Sequence, residues 1–337
     1  MKKPTIKDVA KYSGVSPSTV SRVIVGSPKI SHATKQRVRE AMQKLDYHPN
    51  AVARSLASST TKTLGLILPM AGKNLFANQF FIQAMKGISV RAQERGYYLM
   101  YTFSESEEQE LIFIKDYIRS RLVDGIILLT ARHKDLCIEY LTSINFPFAV
   151  IGHPVDTGDI LWVDNDNFQA MYKVINYLIE RGRKEISFIG GPFSFNVTQH
   201  RLAGYETALK NRGFPVNGAL IQEGADFSEE AGYTCMQAIL SIKKPDAVVT
   251  TDDELAFGVL KAMKKEFIEN ISVVGFNNSI RGMYQKPTLT TVDIHPEELG
   301  FYSTELVINK IENKESIDHY IVETTLIERE TTRPEHR

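Results

Sequence analysis

Cysteine is nearly absent. Cys137 and Cys235 are the only two in 337 residues, they lie far apart, and neither belongs to a Cys-x-x-Cys pair. That excludes a disulfide framework and a thiolate metal site, and it fits a reducing compartment. Long apolar runs are missing too: no stretch approaches 18 uncharged apolar residues, and the opening residues carry charge throughout. Neither a membrane span nor a secretion signal is expected, so the expected location is the cytoplasm. The signatures of common catalytic sites are also missing, with no GxxxxGK[ST], no GxGxxG after a strand, no HExxH and no GxSxG. The eight histidines are scattered without ligand spacing. Asp252-Asp253 is the one carboxylate pair at a strand end, but sequence neighbours rarely flank one scissile bond with the required separation. No enzymatic activity, metal or cofactor is expected.

Net charge is absent only as a total. The 40 Lys and Arg balance 40 Asp and Glu, yet residues 1–62 hold twelve basic and three acidic side chains, a surplus of nine. The remaining residues carry 28 and 37, a deficit of nine. A basic module is therefore joined to a mildly acidic remainder.

The basic end reads as short helices. Thr5 and Asp8 make a capping-box start, with Ile6, Val9 and Ala10 on one face, and Gly14 breaks that helix. Ser16 suits an N-cap and Pro17 the first helical position, and Val20, Val23 and Ile24 form a second apolar stripe. Ser31 caps a third helix with Val38, Ala41, Met42 and Leu45 inward, and Pro49 ends the bundle. Residues 50–57 hold a cap and helix formers over roughly two turns, too short for a stable isolated helix. They read as a conditional helix, followed by a linker through Ser58-Ser59-Thr60-Thr61.

After Lys62 apolar β-rich runs alternate with amphipathic stretches. The expected strands are 64–68, 97–101, 125–129, 148–151, 186–189, 247–250, 271–274 and 288–294. Near-continuous apolar runs alternating with helices indicate parallel sheets covered on both faces. Their number over this length favours two doubly wound domains. The fold class is thus a small all-α helix-turn-helix head plus an α/β region of two doubly wound parallel-sheet subdomains.

In the head, Val20 and Val23 facing the core would turn Pro17, Ser18, Ser21 and Arg22 outward on the N-terminal half of the second helix. That is the half a recognition helix offers to base edges in the major groove. Arg22 suits guanine O6 and N7, and Thr5, Ser16 and Ser21 suit phosphates. A helical cap with a solvated basic face is the alternative, and the basic surplus favours DNA.

The segment Thr5-Ile-Lys-Asp-Val-Ala-Lys-Tyr-Ser-Gly-Val-Ser-Pro-Ser-Thr-Val-Ser-Arg-Val23, with Tyr47-His-Pro-Asn-Ala-Val-Ala-Arg-Ser-Leu-Ala57, resembles the head and hinge of the LacI/GalR family of bacterial transcription repressors. The resemblance continues through Asn78-Gln-Phe-Phe81, Val123-Asp-Gly125, Gly190-Gly-Pro192, Arg201-Leu-Ala-Gly-Tyr205, 252–258, Val273-Val-Gly-Phe276 and Arg329-Glu-Thr-Thr332, essentially the whole chain. It implies two sheet subdomains of the periplasmic-binding-protein type. The head would span 1–48 (motif about 6–25), the hinge and linker 49–61, and an effector-binding and dimerisation domain 62–337. Within that domain the N-subdomain would take about 62–161 and 292–320, and the C-subdomain about 162–291 and 321–330.

The resemblance further implies that Asn50, Ala53 and Leu56 act in the hinge on DNA, Leu56 as a minor-groove wedge beside its symmetry mate. It implies an effector pocket with Phe80 and Phe81 as apolar walls, Arg201 as a clamp, Phe227 as a stacking ring, and Asp252 and Asn277 as polar contacts. His153 joins them by its place after a strand, where ligands bind in doubly wound sheets. Aromatic faces with fork-like donors and carboxylates suit a neutral polyhydroxylated sugar. Each has a plainer account: Phe80 and Phe81 as core, Arg201 as a surface ion pair, Leu56 as an interdomain contact. Asp253 reads as the N-cap of a helix over 254–265 rather than a ligand.

Two departures from the family pattern bear on the sugar. Asn277-Asn278 stand where many relatives have an acid, and Gly152-His153 stand where many have Asp. The strings Val274-Gly-Phe-Asn-Asn-Ser279 and Thr251-Asp-Asp-Glu-Leu-Ala-Phe-Gly258 resemble maltose-operon repressors. The expectation is therefore a homodimeric repressor acting at the nucleoid on a pseudo-palindromic operator and controlled by maltose or a maltodextrin. The tail after Arg333 has no apolar heptad, so no coiled-coil tetramer is expected. Alternatives are a regulator of another carbohydrate or carbon-catabolite pathway, with or without a phosphocarrier-protein partner. From a different class come a soluble sugar-binding protein or glycan enzyme whose N-terminal helices dock a partner.

Overall fold

The structure is a computed structural model, which describes residues 4–48, 60–69 and 78–333. The chain forms two compact units, one holding the N-terminal helices and one holding two sheets. The expected hinge residues Asn50, Ala53 and Leu56 lie outside the described residues.

The first unit contains α1 (Ile6–Ser13), α2 (Pro17–Ile24) and α3 (His32–Lys44). Each start follows from its cap. The Asp8 carboxylate accepts both the N–H and the hydroxyl of Thr5, at 2.8 and 2.7 Å. Ser16 Oγ accepts from Thr19 N, and Ser31 Oγ from Thr34 N. Gly14 ends α1 at φ 67°, a left-handed position that glycine takes without a Cβ penalty, and its N–H returns to the Ala10 carbonyl. Val9, Ala10, Val20, Val23, Val38 and Ala41 form the core, edged by Ile6, Val15 and Leu45. In the same unit the Asp124 carboxylate accepts Thr61 N and Oγ1 and Lys62 N at 2.7, 2.9 and 2.7 Å, which anchors the end of the expected linker.

In the second unit the first sheet has the order β11 (His319–Val322), β5 (Leu161–Asn165), β4 (Phe148–Ile151), β3 (Gly125–Leu128), β1 (Thr63–Pro69), β2 (Tyr98–Ser104). The second has β12 (Thr325–Ile327), β10 (Thr290–Asp293), β9 (Ser272–Phe276), β8 (Ala247–Thr250), β6 (Ile186–Gly190), β7 (Ile221–Glu223). Pairing is parallel throughout the second sheet except at its edge, where β12 runs antiparallel to β10. The helices are α4 (Gln79–Glu94), α5 (Glu107–Arg119), α6 (Leu136–Ser143), α7 (Asn167–Glu180), α8 (Asn196–Asn211), α9 (Glu229–Ile242), α10 (Asp253–Lys265), α11 (Ile280–Tyr284) and α12 (Pro296–Ile311). Helices α4 and α12 touch through glycines. A Cβ on Gly87 would strike the Glu297 carbonyl, and one on Gly300 the Ala84 carbonyl, so both positions need hydrogen for the backbones to close.

Among the described residues all eight expected strands are present, 148–151 and 247–250 with the expected ends and six with shifted ones, and four more appear. Of these, β7, β11 and β12 are edge or near-edge pieces of three or four residues with mixed exposure, so they carry little apolar periodicity. Strand β5 was hidden because Leu-Trp-Val ends on Asp164 and Asn165, polar residues that are nevertheless buried. The chain crosses between sheets after β5, after β10 and between β11 and β12. These crossings lie a few residues beyond the expected subdomain limits at 161, 291 and 320, each of which falls beside or within a strand. Asn165 ties the crossings together, its amide donating to the carbonyls of Ile294 and Val322 at 3.0 and 2.9 Å.

Candidate functional site

The head presents its polar residues on one stretch. Thr5, Ser16, Pro17, Ser18 and Arg22 are exposed and Ser21 is half-buried, while Val20 and Val23 are buried beneath them. The local reason is the cap: Ser16 fixes where α2 begins, so Val20 and Val23 fall inward and Arg22 outward. Ser16 Oγ also lies 2.8 Å from Ser18 Oγ and 2.9 Å from Thr19 Oγ1, which makes a hydroxyl cluster at the helix N-terminus.

In the second unit a cavity of about 90 Å³ opens where strands of both sheets end. Phe80, Phe81, Arg201, Phe227, Asp252 and Asn277 all line it. Phe80 and Phe81 meet edge to face at 5.1 Å, and Phe81 also belongs to the core behind. Arg201 is 3% exposed, so it is no surface ion pair. Its Nε donates to Asn167 Oδ1 at 2.9 Å and its Nη1 to the Thr251 carbonyl at 2.6 Å, and the guanidinium lies 4.0 Å from the Phe276 ring centre. Burial lowers its pKa to about 10, opposed by Asp164, Asp252 and Asp253.

Asp252 is the hub. Its Oδ1 accepts Glu254 N at 2.8 Å, and its Oδ2 accepts Asn277 Nδ2 at 2.8 Å and Asn78 Nδ2 at 3.2 Å. Burial pushes its pKa up to about 8, against the Glu254 backbone bond and with help from Asp253. The helix cap is therefore Asp252, correcting the expectation for Asp253. Asp253 instead opens α10, with its carboxylate accepting Ser279 N at 2.7 Å and Thr291 Oγ1 at 2.6 Å. The sequence departure at Asn277 has a reason here: an amide donates to Asp252 where an acid would repel it. Asn277 holds φ 107°, a positive value that Asn tolerates better than most side chains.

His153 is the residue the structure does not bring in. Its ring is not part of the cavity lining; it packs 4.4 Å from Trp162 and 5.4 Å from His200, with Nδ1 2.7 Å from the Pro154 carbonyl. Only its backbone serves the region, as N–H donor to Asp164 and carbonyl acceptor from Asn196. Conversely Asn78, Asp164 and Phe195 line the cavity without having been singled out for it. Asp164 ends a strand, so the strand-end rule finds it once β5 is recognised. Burial raises its pKa to about 6.

The known proteins that resemble this chain fit both halves. Residues 5–50 match the lacI family of bacterial regulatory proteins, and residues 175–332 match a periplasmic binding protein-like domain. The HTH-type transcriptional regulator MalR of Streptococcus pneumoniae is 38% identical over 93% of this chain and 94% of its own. Among solved structures, the lac repressor dimer bound to operator and an anti-inducer aligns with TM-score 0.82 at 25% identity, over 98% of this chain and 99% of its own. A complex of the regulator CelR with cellobiose aligns with TM-score 0.76 at 28% identity, over 97% and 99%. These relatives are regulators rather than enzymes. Among the described residues no helix is long and apolar enough to cross a membrane. The chain belongs to the lacI family, and it is a DNA-binding regulator of transcription.

Proposed function

We propose that the chain is a homodimeric repressor whose hold on a pseudo-palindromic operator is set by a small neutral sugar in the cavity, maltose or a maltodextrin. The observation that carries this is the chemistry of the lining: apolar faces from Phe80, Phe81, Phe195 and Phe227 surround Arg201, Asp164 and Asp252. One buried guanidinium facing several carboxylates leaves no positive surplus for a phosphate, whereas sugar hydroxyls can donate to acids and sugar C–H faces can lie on rings. Maltose is supported by the strings 251–258 and 274–279, which resemble maltose-operon repressors, and a disaccharide by the cellobiose complex of CelR. Dimerisation is supported by edge strand β2, which exposes Tyr98, Tyr101 and Phe103. Arg22 reads bases, Thr5, Ser16, Pro17, Ser18 and Ser21 position α2 on the backbone, and Asn50, Ala53 and Leu56 contact DNA from the hinge. Sugar acts by binding the DNA-free arrangement better than the DNA-bound one, since only differential affinity shifts such an equilibrium.

The test is calorimetric titration of the full chain with glucose, maltose, maltotriose, ribose and a hexose phosphate, followed by binding to DNA selected from a random pool. A neutral glucoside should bind and weaken retention of the selected DNA. Binding of the phosphate alone, or of no sugar, sinks the reading. In the same assay Arg22→Ala should cost about 1–3 kcal/mol on selected DNA and much less on random DNA. A uniform loss would make Arg22 a phosphate contact.

A further inference from the structure

The cavity that gathers Arg201 and Asp252 is too small for the ligand class just assigned to it. At about 90 Å³ it falls well short of the roughly 300–1,000 Å³ of ligand pockets. A second cavity of about 270 Å³ adjoins it and shares two of its walls, Phe195 and Phe227, whose rings meet edge to face at 5.5 Å. We propose that this outer cavity is a second sugar subsite, which holds the next ring of a linear glycan whose first ring occupies the inner cavity. The proposal rests on the neutral-sugar reading above and deepens it by assigning the residues that sense chain length.

Both sheet lobes build the outer cavity. Ser104, Glu105, Ser106, Glu107 and Glu110, from the end of β2 and the start of α5, face Ala225 and Asp226 from the loop after β7. Arg132 sits between them. Glu110 holds its guanidinium in a two-bond fork at 3.0 and 2.8 Å, and it lies 5.1 Å from the Phe195 ring centre. Both partners of that fork are largely buried, with side chains 12% and 7% exposed, so the plane of Arg132 is fixed before any ligand arrives.

The chemistry selects the occupant. Arg132 is already matched by Glu110, and Glu105, Glu107 and Asp226 add acid around it, so an anionic group would meet net repulsion. A neutral ring fits better: its hydroxyls donate to the carboxylates and to Ser106, and its apolar face lies on Phe195 or Phe227. Because the two rings are common walls, a ligand spanning both cavities packs against them from two sides, which a monosaccharide cannot do.

The experiment compares glucose, maltose and maltotriose by calorimetry on the full chain, as wild type, Ala225→Trp and Glu105→Ala. Ala225 is exposed at the cavity wall, so an indole there fills the space without disturbing the core. Wild type should bind maltose at least about tenfold tighter than glucose, since the second ring adds contacts without a second loss of rigid-body freedom. Ala225→Trp should remove about tenfold of maltose affinity while glucose affinity changes less than about twofold, and Glu105→Ala should weaken maltose alone by a smaller factor. Equal affinity of wild type for glucose and maltose overturns the subsite and leaves the sugar reading standing. So does a maltose affinity untouched by Ala225→Trp, or one lowered together with glucose by the same factor while Glu105→Ala changes neither. Failure of wild type to bind any of the three overturns the sugar reading, and the subsite falls with it.

Discussion

The helical head and the cavity of the sheet unit place the residues proposed to bind DNA and sugar in opposite environments. In the head, Arg22 and the Ser16–Ser18 hydroxyls are exposed and need only a correctly capped short helix to face outward. In the cavity, Arg201 and Asp252 are almost fully buried, and each is held by partners from distant segments: Asn167 and Thr251 for the first, Asn78 and Asn277 for the second. A surface that reads a rigid polyanion can be specified locally, because its ligand supplies the order. A cavity that encloses a small polar ligand has to supply the order itself, through desolvated charges that only the folded chain can compensate.

Removing one charge from each region should have very unequal effects. Arg201→Ala leaves Asp164 and Asp252 without the cation that opposes their burial, and it strips hydrogen bonds from Asn167 and the Thr251 carbonyl. We expect the sheet unit to lose about 3–5 kcal/mol, as for other broken buried charge arrangements. Hydrogen exchange should show the loss in β6, β8 and β9 and leave α1 to α3 unaffected. Arg22→Ala on the head should leave the stability of both units unchanged. If Arg201→Ala unfolds no more readily than wild type, the charges are solvated and the contrast between the regions collapses.

The two regions should also respond differently to pH. Burial raises Asp252 to about 8, Glu254 to about 7, and Asp253 and Asp164 to about 6, all above their unfolded values near 4. A group with a raised folded pKa binds its proton more tightly when folded. Its contribution is fully present below the unfolded pKa and is lost as pH rises through the folded one. Carboxylates with lowered values, such as Asp246 and Glu305, act in the opposite sense in the acid range, and His200, lowered by burial, opposes the decline near pH 6, where the four raised carboxylates outweigh it. Between about pH 5.5 and 8.5 the melting temperature of the sheet unit should therefore fall, and Asp252→Asn should flatten the upper part of that decline. The head carries none of these carboxylates, so its own melting should be flat over the same interval. A decline of equal size in both units would trace the effect to something other than the cavity.

The head was almost wholly legible before folding: Thr5, Ser16 and Ser31 cap the helices expected of them, and Val9, Val20 and Val38 lie where the apolar spacing puts them. Six residues of the cavity lining, Phe80, Phe81, Arg201, Phe227, Asp252 and Asn277, were legible, but their bonding was not. Asp252 took the cap expected of Asp253 because a cap is decided by one residue's φ and ψ, and either carboxylate can serve in sequence. His153 missed the cavity because Trp162 and His200, from β5 and α8, pack against its ring. Asp164 was overlooked because a strand ending in Asp-Asn reads as a loop until the burial of those residues is known. In each case the deciding neighbour lies far along the chain or in a strand without apolar periodicity.

The smallest expected effect tests whether the local rule in the head is as self-sufficient as it looks. Ser16 Oγ accepts Thr19 N at 3.2 Å, and loss of such a cap costs about 1 kcal/mol. In a three-helix unit with so small a core that is a large share of the total, so Ser16→Ala should visibly lower the head's melting and leave the sheet unit unchanged. It should also weaken selected and random DNA by the same factor, because a cap and a phosphate contact carry no base information. Ser16→Asp separates the two roles. Aspartate caps as well as serine, so helix stability should return, but a carboxylate at that helix N-terminus repels phosphate, so DNA binding should fall further. If Ser16→Asp restores both together, the hydroxyl acts only through the fold and Ser16 leaves the set of DNA contacts.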